Sequence, residues 1–194
     1  MLETSQPWSL FGFDLRRGPH YFLAGWRDFL WGDDSPVLNA VDEVVKVHQE
    51  KGDVRYYQAG KLVPEPATTA GVKAEAIVLP ERLVLAKTLQ VPVAAEADLD
   101  SMLVLEVKSS SPFPENDTCY GWAILERGDS NLGVQLVISS QSAVMAFIAS
   151  RLDCHDIRAY EVWAEVSDRM VLVSGFGEAQ RQQRNRRRLS LIHI

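Results

Sequence analysis

At 194 residues and 46% apolar content, the chain suffices for one ordinary domain or two small lobes on a shared core, and its composition excludes a disordered segment. Its longest unbroken apolar run, Ala143–Ala149, is far too short to cross a bilayer, and Met1–Gln6 carries no basic cluster of the kind that opens a secretory leader, so the chain as it stands is expected to be soluble and intracellular. The net charge of −6 is unevenly spread: residues 181–188 read RQQRNRRR, and without those five arginines the remainder holds 15 bases against 26 acids, a body that repels nucleic acid.

Phe11–Leu15 reads as an opening strand. Phe22, Trp26, Phe29 and Leu30 follow at i, i+4, i+7 and i+8, one apolar helical face, which Gly32 and Asp33-Asp34-Ser-Pro36 close. Three short β segments come next, Val41–His48, Val54–Gln58 and Lys61–Val63, with Lys51-Gly-Asp53 as a hairpin turn. Residues 63–74, rich in Pro, Thr, Ala and Gly, read as a loop and a lobe boundary. Glu75–Leu79 and Arg82–Gln90 form two strands divided by Pro80-Glu81. Ala94–Val107 predicts a helix with Leu99, Met102, Leu103 and Glu106 on one face. The strand Cys119–Glu126 then turns through Asp129-Ser-Asn131 into Leu132–Ser139, where apolar residues keep a period of two. Ser140 is placed to cap a helix running to about Leu152, with Val144, Phe147, Ile148 and Leu152 inward. Ile157–Val166 and Arg169–Val173 supply two last strands, and Gly175-Phe-Gly177 ends the second. Strands in sheets with a few helices between them place the chain in the α/β or α+β class, with two lobes.

Chemistry-bearing patterns are sparse. Gly175-Phe-Gly177 after an apolar strand resembles the start of a dinucleotide-binding turn, but Gln180 stands where the third small residue belongs, and the plain reading is a strand-to-helix turn. Asp14 in Phe-Gly-Phe-Asp-Leu is placed like the magnesium-side acid of an actin-like ATPase. Leu15 and Arg16 follow it, where phosphate would need glycine, and no P-loop occurs. Asp33-Asp34 and Asp153/Asp156 sit in turn-like polar stretches and read as solvated acids. Ser109–Ser111 and Ser139-Ser140 lack a nucleophile elbow. Cys119 and Cys154 read as free thiols, and the four histidines do not complete a zinc-ligand set with them. No catalytic residue, metal or cofactor is therefore expected. Trp26, Trp122 and Trp163 read as core. Trp8 and Trp31 flank loops and are the candidates for a protein interface.

The arginine run is the sharpest feature. Arg181, Arg184, Arg186, Arg187 and Arg188 read as a basic juxtamembrane segment, because inner-side bases orient a membrane helix and hold anionic lipid. The last six residues, Leu189–Ile194, read as translated sequencing adapter, and the natural chain is expected to continue from Arg188 into a transmembrane helix.

The stretch 79–113 resembles the cytoplasmic domain of the type II secretion protein L family (GspL) and its type IV pilus relatives PilM and PilN. The resemblance is carried by Leu89-Gln-Val-Pro92, Ala94-Ala95, Leu99, Leu105-Glu106 and Ser111-Pro112-Phe113, with Arg82-Leu83-Val84 before and Trp122 after. It is clearest over residues 75–150. It implies a two-lobed actin-like domain over residues 1–180 that has lost nucleotide binding, on the cytoplasmic face of the bacterial inner membrane. The implied partners are the secretion or pilus ATPase (GspE-like), platform proteins (GspM- and GspF-like), the membrane, and a second copy of the chain, with no nucleic acid. Val107-Lys108 stands where the family often has an acid followed by Arg, and the chain is short for the full domain. Secretion-type L and pilus-type PilN both stay open, and a divergent actin-like ATPase using Asp14 is the competing class.

Overall fold

In the computed structural model the chain is described at residues 9–10, 13–14, 42–67 and 72–192, with side chains at 42–67 and 72–187. It divides at Asp42/Glu43. In the first unit the strands β1 (Ser9–Leu10) and β2 (Phe13–Asp14) pair antiparallel, with Ser9 opposite Asp14. The single strand expected over Phe11–Leu15 is thus, where described, one arm of a two-residue ladder. The helix expected around Phe22–Leu30, the Asp33-Asp34 turn, and Trp8, Trp26 and Trp31 lie outside the described residues.

The second unit opens with a meander. In β3 (Val45–His48) valines alternate with Lys46 and His48, and only the valines are buried. The turn to β4 (Val54–Gln58) is closed by the Gln49 amide donating to the Asp53 carbonyl at 2.8 Å, with Gly52 at φ +90°. Ala59 and Gly60, both at positive φ, then make the two-residue loop to β5 (Lys61–Val63), the backbone twist such hairpins require. β6 (Ala74–Leu79) lies parallel to β3. Residues 63–74, expected as a lobe boundary, therefore connect strands of one sheet. The physical reason is that Ala76, Val78 and Val47 share one apolar cluster, which the loop serves to close.

Pro80 opens a short 3-10 helix, Glu81–Leu83, so the strand expected from Arg82 begins only at Leu85, as β7 (Leu85–Pro92). A second 3-10 helix, Val93–Asp98, delays α1 to Leu99–Ser110. Its buried residues are Leu99, Leu103 and Val107, at i, i+4 and i+8. Met102 and Glu106, expected inward, are not: Met102 is 40% exposed, and Glu106 meets Lys87 of β7. β8 (Thr118–Arg127), β9 (Asn131–Ser140) and α2 (Gln141–Leu152) follow, then the β10 (Glu161–Val166) and β11 (Arg169–Val173) hairpin, and finally α3 (Glu178–Ile192).

The large sheet runs β11-β10-β6-β3-β4-β5, and a smaller one runs β7-β9-β8. β3, β6 and β10 are mutually parallel and their neighbours antiparallel, a mixed α+β arrangement in keeping with the expected class. β9 is buried from Leu132 to Ser140 because both its faces are covered. Leu132, Val134, Leu136 and Ile138 lie under α1 with Trp122 and Leu89. Val137, on the opposite face, joins Val144, Phe147 and Ile148 of α2 on the large sheet. The sheets meet where β8 crosses β11: the Ser174 amide donates to the Tyr120 carbonyl at 2.9 Å. A Cβ on Gly121 would lie 1.9 Å from the Leu172 carbonyl oxygen, so only glycine permits that approach.

Candidate functional site: the root of the arginine helix

The turn into α3 uses its glycines for packing. Gly175 has φ +105°, and a Cβ on Gly177 would come within 2.7 to 2.9 Å of the Tyr160 and Arg158 backbone. The Glu178 carboxylate accepts the Gly175 amide at 2.7 Å and the Phe176 amide at 2.9 Å. Those are the donors a phosphate would need, and an internal carboxylate occupies them. The acid also complements the positive end of the helix dipole. The expected strand-to-helix turn is what stands here.

Three and six residues after Glu178, α3 turns its bases onto the sheet. Arg181 forms a two-pronged ion pair with Glu161, Nε to Oε1 at 2.6 Å and one terminal nitrogen to Oε2 at 3.0 Å. Glu161 is 2% exposed, opens β10, and also accepts the Trp163 indole N–H at 3.0 Å. Arg184 donates through Nε to Glu43 at 2.7 Å, and Glu43 is 7% exposed. Asn185, which follows Arg184, is buried. Arg186 and Arg187 are exposed, and the Arg188 side chain lies outside the described residues. The run expected as one basic segment is thus split by helical geometry. Residues 181, 184 and 185 share a face, and 186 and 187 turn away from it.

Two buried carboxylates facing two arginines are expensive to separate, since loss of one partner leaves the other charged, buried and alone. The arrangement fixes a helix to a sheet. It leaves neither carboxylate free for proton transfer, because each is already engaged by a guanidinium.

Several other polar groups among the described residues hold caps, turns and strand pairs. Asp117 accepts the Ser140 hydroxyl at 2.6 Å and the Ser142 amide at 2.8 Å, and these bonds hold its carboxyl below the usual range. Ser140 caps α2 as expected, accepting from the Ala143 amide at 3.2 Å. Asp153 takes the left-handed position after α2, and Asp156 accepts the Arg158 amide, so both are turn acids as read. On the large sheet His48 Nε2 lies 2.9 Å from Glu75, whose other oxygen is 3.7 Å from Lys46, a cross-strand network. Cys119 and Cys154 are free, and burial pushes the Cys119 thiol up to about 12. Trp163 stacks edge-on against Tyr57 in the core, as expected, and Trp122 is half-buried under α1.

Among the described residues no group of His, Cys, Asp and Glu is arranged to hold a metal ion. No helix there is long and apolar enough to cross a membrane. Glu43 and Glu161 escaped the sequence reading. The available signal was an isolated acid opening the apolar run Val162–Ala164, with arginines at i and i+3 downstream. No family model matches this chain, and no curated protein does.

Proposed function

We propose that this chain is the non-enzymatic cytoplasmic scaffold of a membrane-anchored bacterial secretion or pilus assembly platform, an L-like or PilN-like protein. It recruits the assembly ATPase and couples it to the inner membrane through the helix that carries the arginines. The observation that carries the reading is the rooting of α3. Arg181 and Arg184 are held by Glu161 and Glu43, so the helix moves with the sheet rather than hinging from it. A rigid join at that place is what a force-transmitting scaffold needs, and it leaves Arg186 and Arg187 outward for anionic lipid.

Two further observations support an actin-like lobe without nucleotide chemistry. Counted along the chain, β3, β4, β5, β6 and β10 stand in the order 3-2-1-4-5, with β3, β5, β6 and β10 running one way and β4 the other. The amides of the Gly175–Gly177 turn that could meet a phosphate are taken by Glu178. The acidic body then serves as a docking surface for a basic face of the ATPase, which makes the association salt-sensitive.

The experiment is capture of the secretion or pilus assembly ATPase of the source organism on this chain across a salt series. Capture at low salt that falls steeply with ionic strength is expected. Absence of capture at low salt overturns the scaffold reading. Saturable ATP binding that disappears in Asp14→Ala would instead make the chain a divergent ATPase.

A further inference from the structure

Going beyond that reading and not resting on it, we propose that the outer edge of β7 receives an extended, base-bearing segment of another protein as an added antiparallel strand. Among the described residues β7 pairs only with β9, and its ladder runs from Leu85 to Pro92 without a shift in register. One residue further, the Val93 amide donates to the Ser130 carbonyl at 3.0 Å. Amides alternate in direction along an antiparallel strand. Those of Leu85, Lys87, Leu89 and Val91 therefore face β9, and those of Ala86, Thr88 and Gln90 face away from it. Ala86, Thr88 and Gln90 are all exposed. Pro92 has a carbonyl but no amide at its outward position, and closes the row. The usual guards of an edge, a lysine or a proline within it, do not act here. Lys87 is turned onto α1, where Glu106 at 2.5 Å and Ser110 at 3.3 Å hold its ammonium, and proline comes only at the last position. The row that remains matches an extended backbone, donor for acceptor.

Charge beside the edge selects the occupant. Arg82, just before the strand, is held by Glu50 at 2.8 Å, and Arg127 of β8 is held by Glu96 at 2.9 and 3.1 Å. With Lys87 taken by Glu106, each of these bases is engaged. Acids gather at the Pro92 end. Asp129 precedes Ser130, whose carbonyl takes the Val93 amide, and Asp98 ends the 3-10 helix that Val93 opens. Both acids are exposed. A strand laid along β7 therefore gains from a lysine or arginine at the end that passes Pro92. A second copy of β7 would bring no free base to that place, because Arg82, Lys87 and Arg127 are already taken.

The side chains of the segment are constrained as well. Glu106 reaches Lys87, so the flank of α1 that carries Glu106 looks over β7. Met102, one turn before Glu106, shares that flank and is 40% exposed. Leu85 lies on the same face of β7 as Lys87 by alternation, and is 45% exposed. Every second residue of the added strand turns to this apolar face, and those between turn away from it. The fitting segment is thus a base at its N-terminal end followed by alternating apolar and polar residues. Antiparallel addition continues the alternation already present in β7-β9-β8.

The probe is a synthetic peptide as long as β7, eight residues, with blocked ends. It begins with a lysine and continues with valine and threonine in alternation. When it is titrated into the full chain, hydrogen exchange should slow at the amides of Ala86, Thr88 and Gln90. The amides of Leu89 and Val91, already bonded to β9, should stay as they were. Methylating one alternate set of peptide nitrogens should abolish binding, and methylating the other set should leave it, a contrast that needs no change in the protein. Gln90→Pro removes one outward donor without touching the β9 ladder, and should weaken binding about tenfold. Exchanging the lysine of the peptide for glutamate should weaken it about fivefold, and Asp129→Lys should erase that preference. A peptide that protects none of the three amides overturns the proposal, as do methylated forms that bind alike. Lysine and glutamate peptides of equal affinity would contradict the base-bearing occupant. Protection of the same amides in the chain alone at high concentration would give the edge to a second copy, and equally end the proposal.

Discussion

Arg181 and Arg186 are five residues apart on one helix, and they meet opposite surroundings. Arg181 closes on a carboxylate that is 2% exposed, whereas Arg186 stands in solvent. The first is bound into the fold, and the second is free to meet something else. Charge density along a sequence does not distinguish these two cases. Helical phase and the location of distant acids decide between them.

The largest effect that tests this contrast is on stability. Arg181→Met leaves Glu161 charged and unpaired in the interior, and should lower the unfolding free energy by about 3–5 kcal/mol in urea titration. The double variant with Glu161→Met should recover most of that loss, because two apolar groups replace a buried pair. Equal loss in single and double variants would mean that the pair is not coupled. Arg184→Ala should lose less, about 1–3 kcal/mol, since its side chain keeps 29% exposure and water partly replaces it. Arg186→Ala and Arg187→Ala should shift stability by less than about 0.5 kcal/mol. In the same two variants, affinity for vesicles containing phosphatidylserine should fall about fivefold per residue, reading on the order of 1 kcal/mol for each base near the surface. A vesicle affinity unchanged by both would remove the lipid role from the outer arginines.

The smallest expected effect concerns acid. Asp117 has its carboxyl held below the ordinary range by the Ser140 hydroxyl and the Ser142 amide. Its folded value is depressed, so its contribution to stability is full above the unfolded carboxylate value and disappears as pH falls through the folded one. Asp117→Asn should flatten the acid limb of the stability curve while leaving the α3 root untouched. An acid limb identical to the parent's would refute this assignment.

Local features were legible in the residues themselves. Ser140 announces the start of α2 because its hydroxyl is three residues before the amide it accepts from. The strands β4, β5 and β11 match their expected limits because short turns with positive φ fix both ends of β4 and β11 and the start of β5. The inward face of α1 centres on Leu99, Leu103 and Val107, which leaves Met102 and Glu106 at its margin, Glu106 being drawn to Lys87 of β7. The fate of the arginines was not legible at all. Glu161 is 20 residues from Arg181, and Glu43 is 141 from Arg184, and only the strand order of the large sheet brings them together.

Native-state hydrogen exchange on α3 tests the central claim most directly. A helix this rich in charge has little stability of its own, so protection must come from its attachment to the sheet. The amides around Arg181–Asn185 should exchange with protection approaching that of β10, and Arg181→Met should remove it. Amides of α3 that exchange like those of a detached helix in the parent chain would contradict a rooted helix, and with it the rigid link on which the scaffold reading depends.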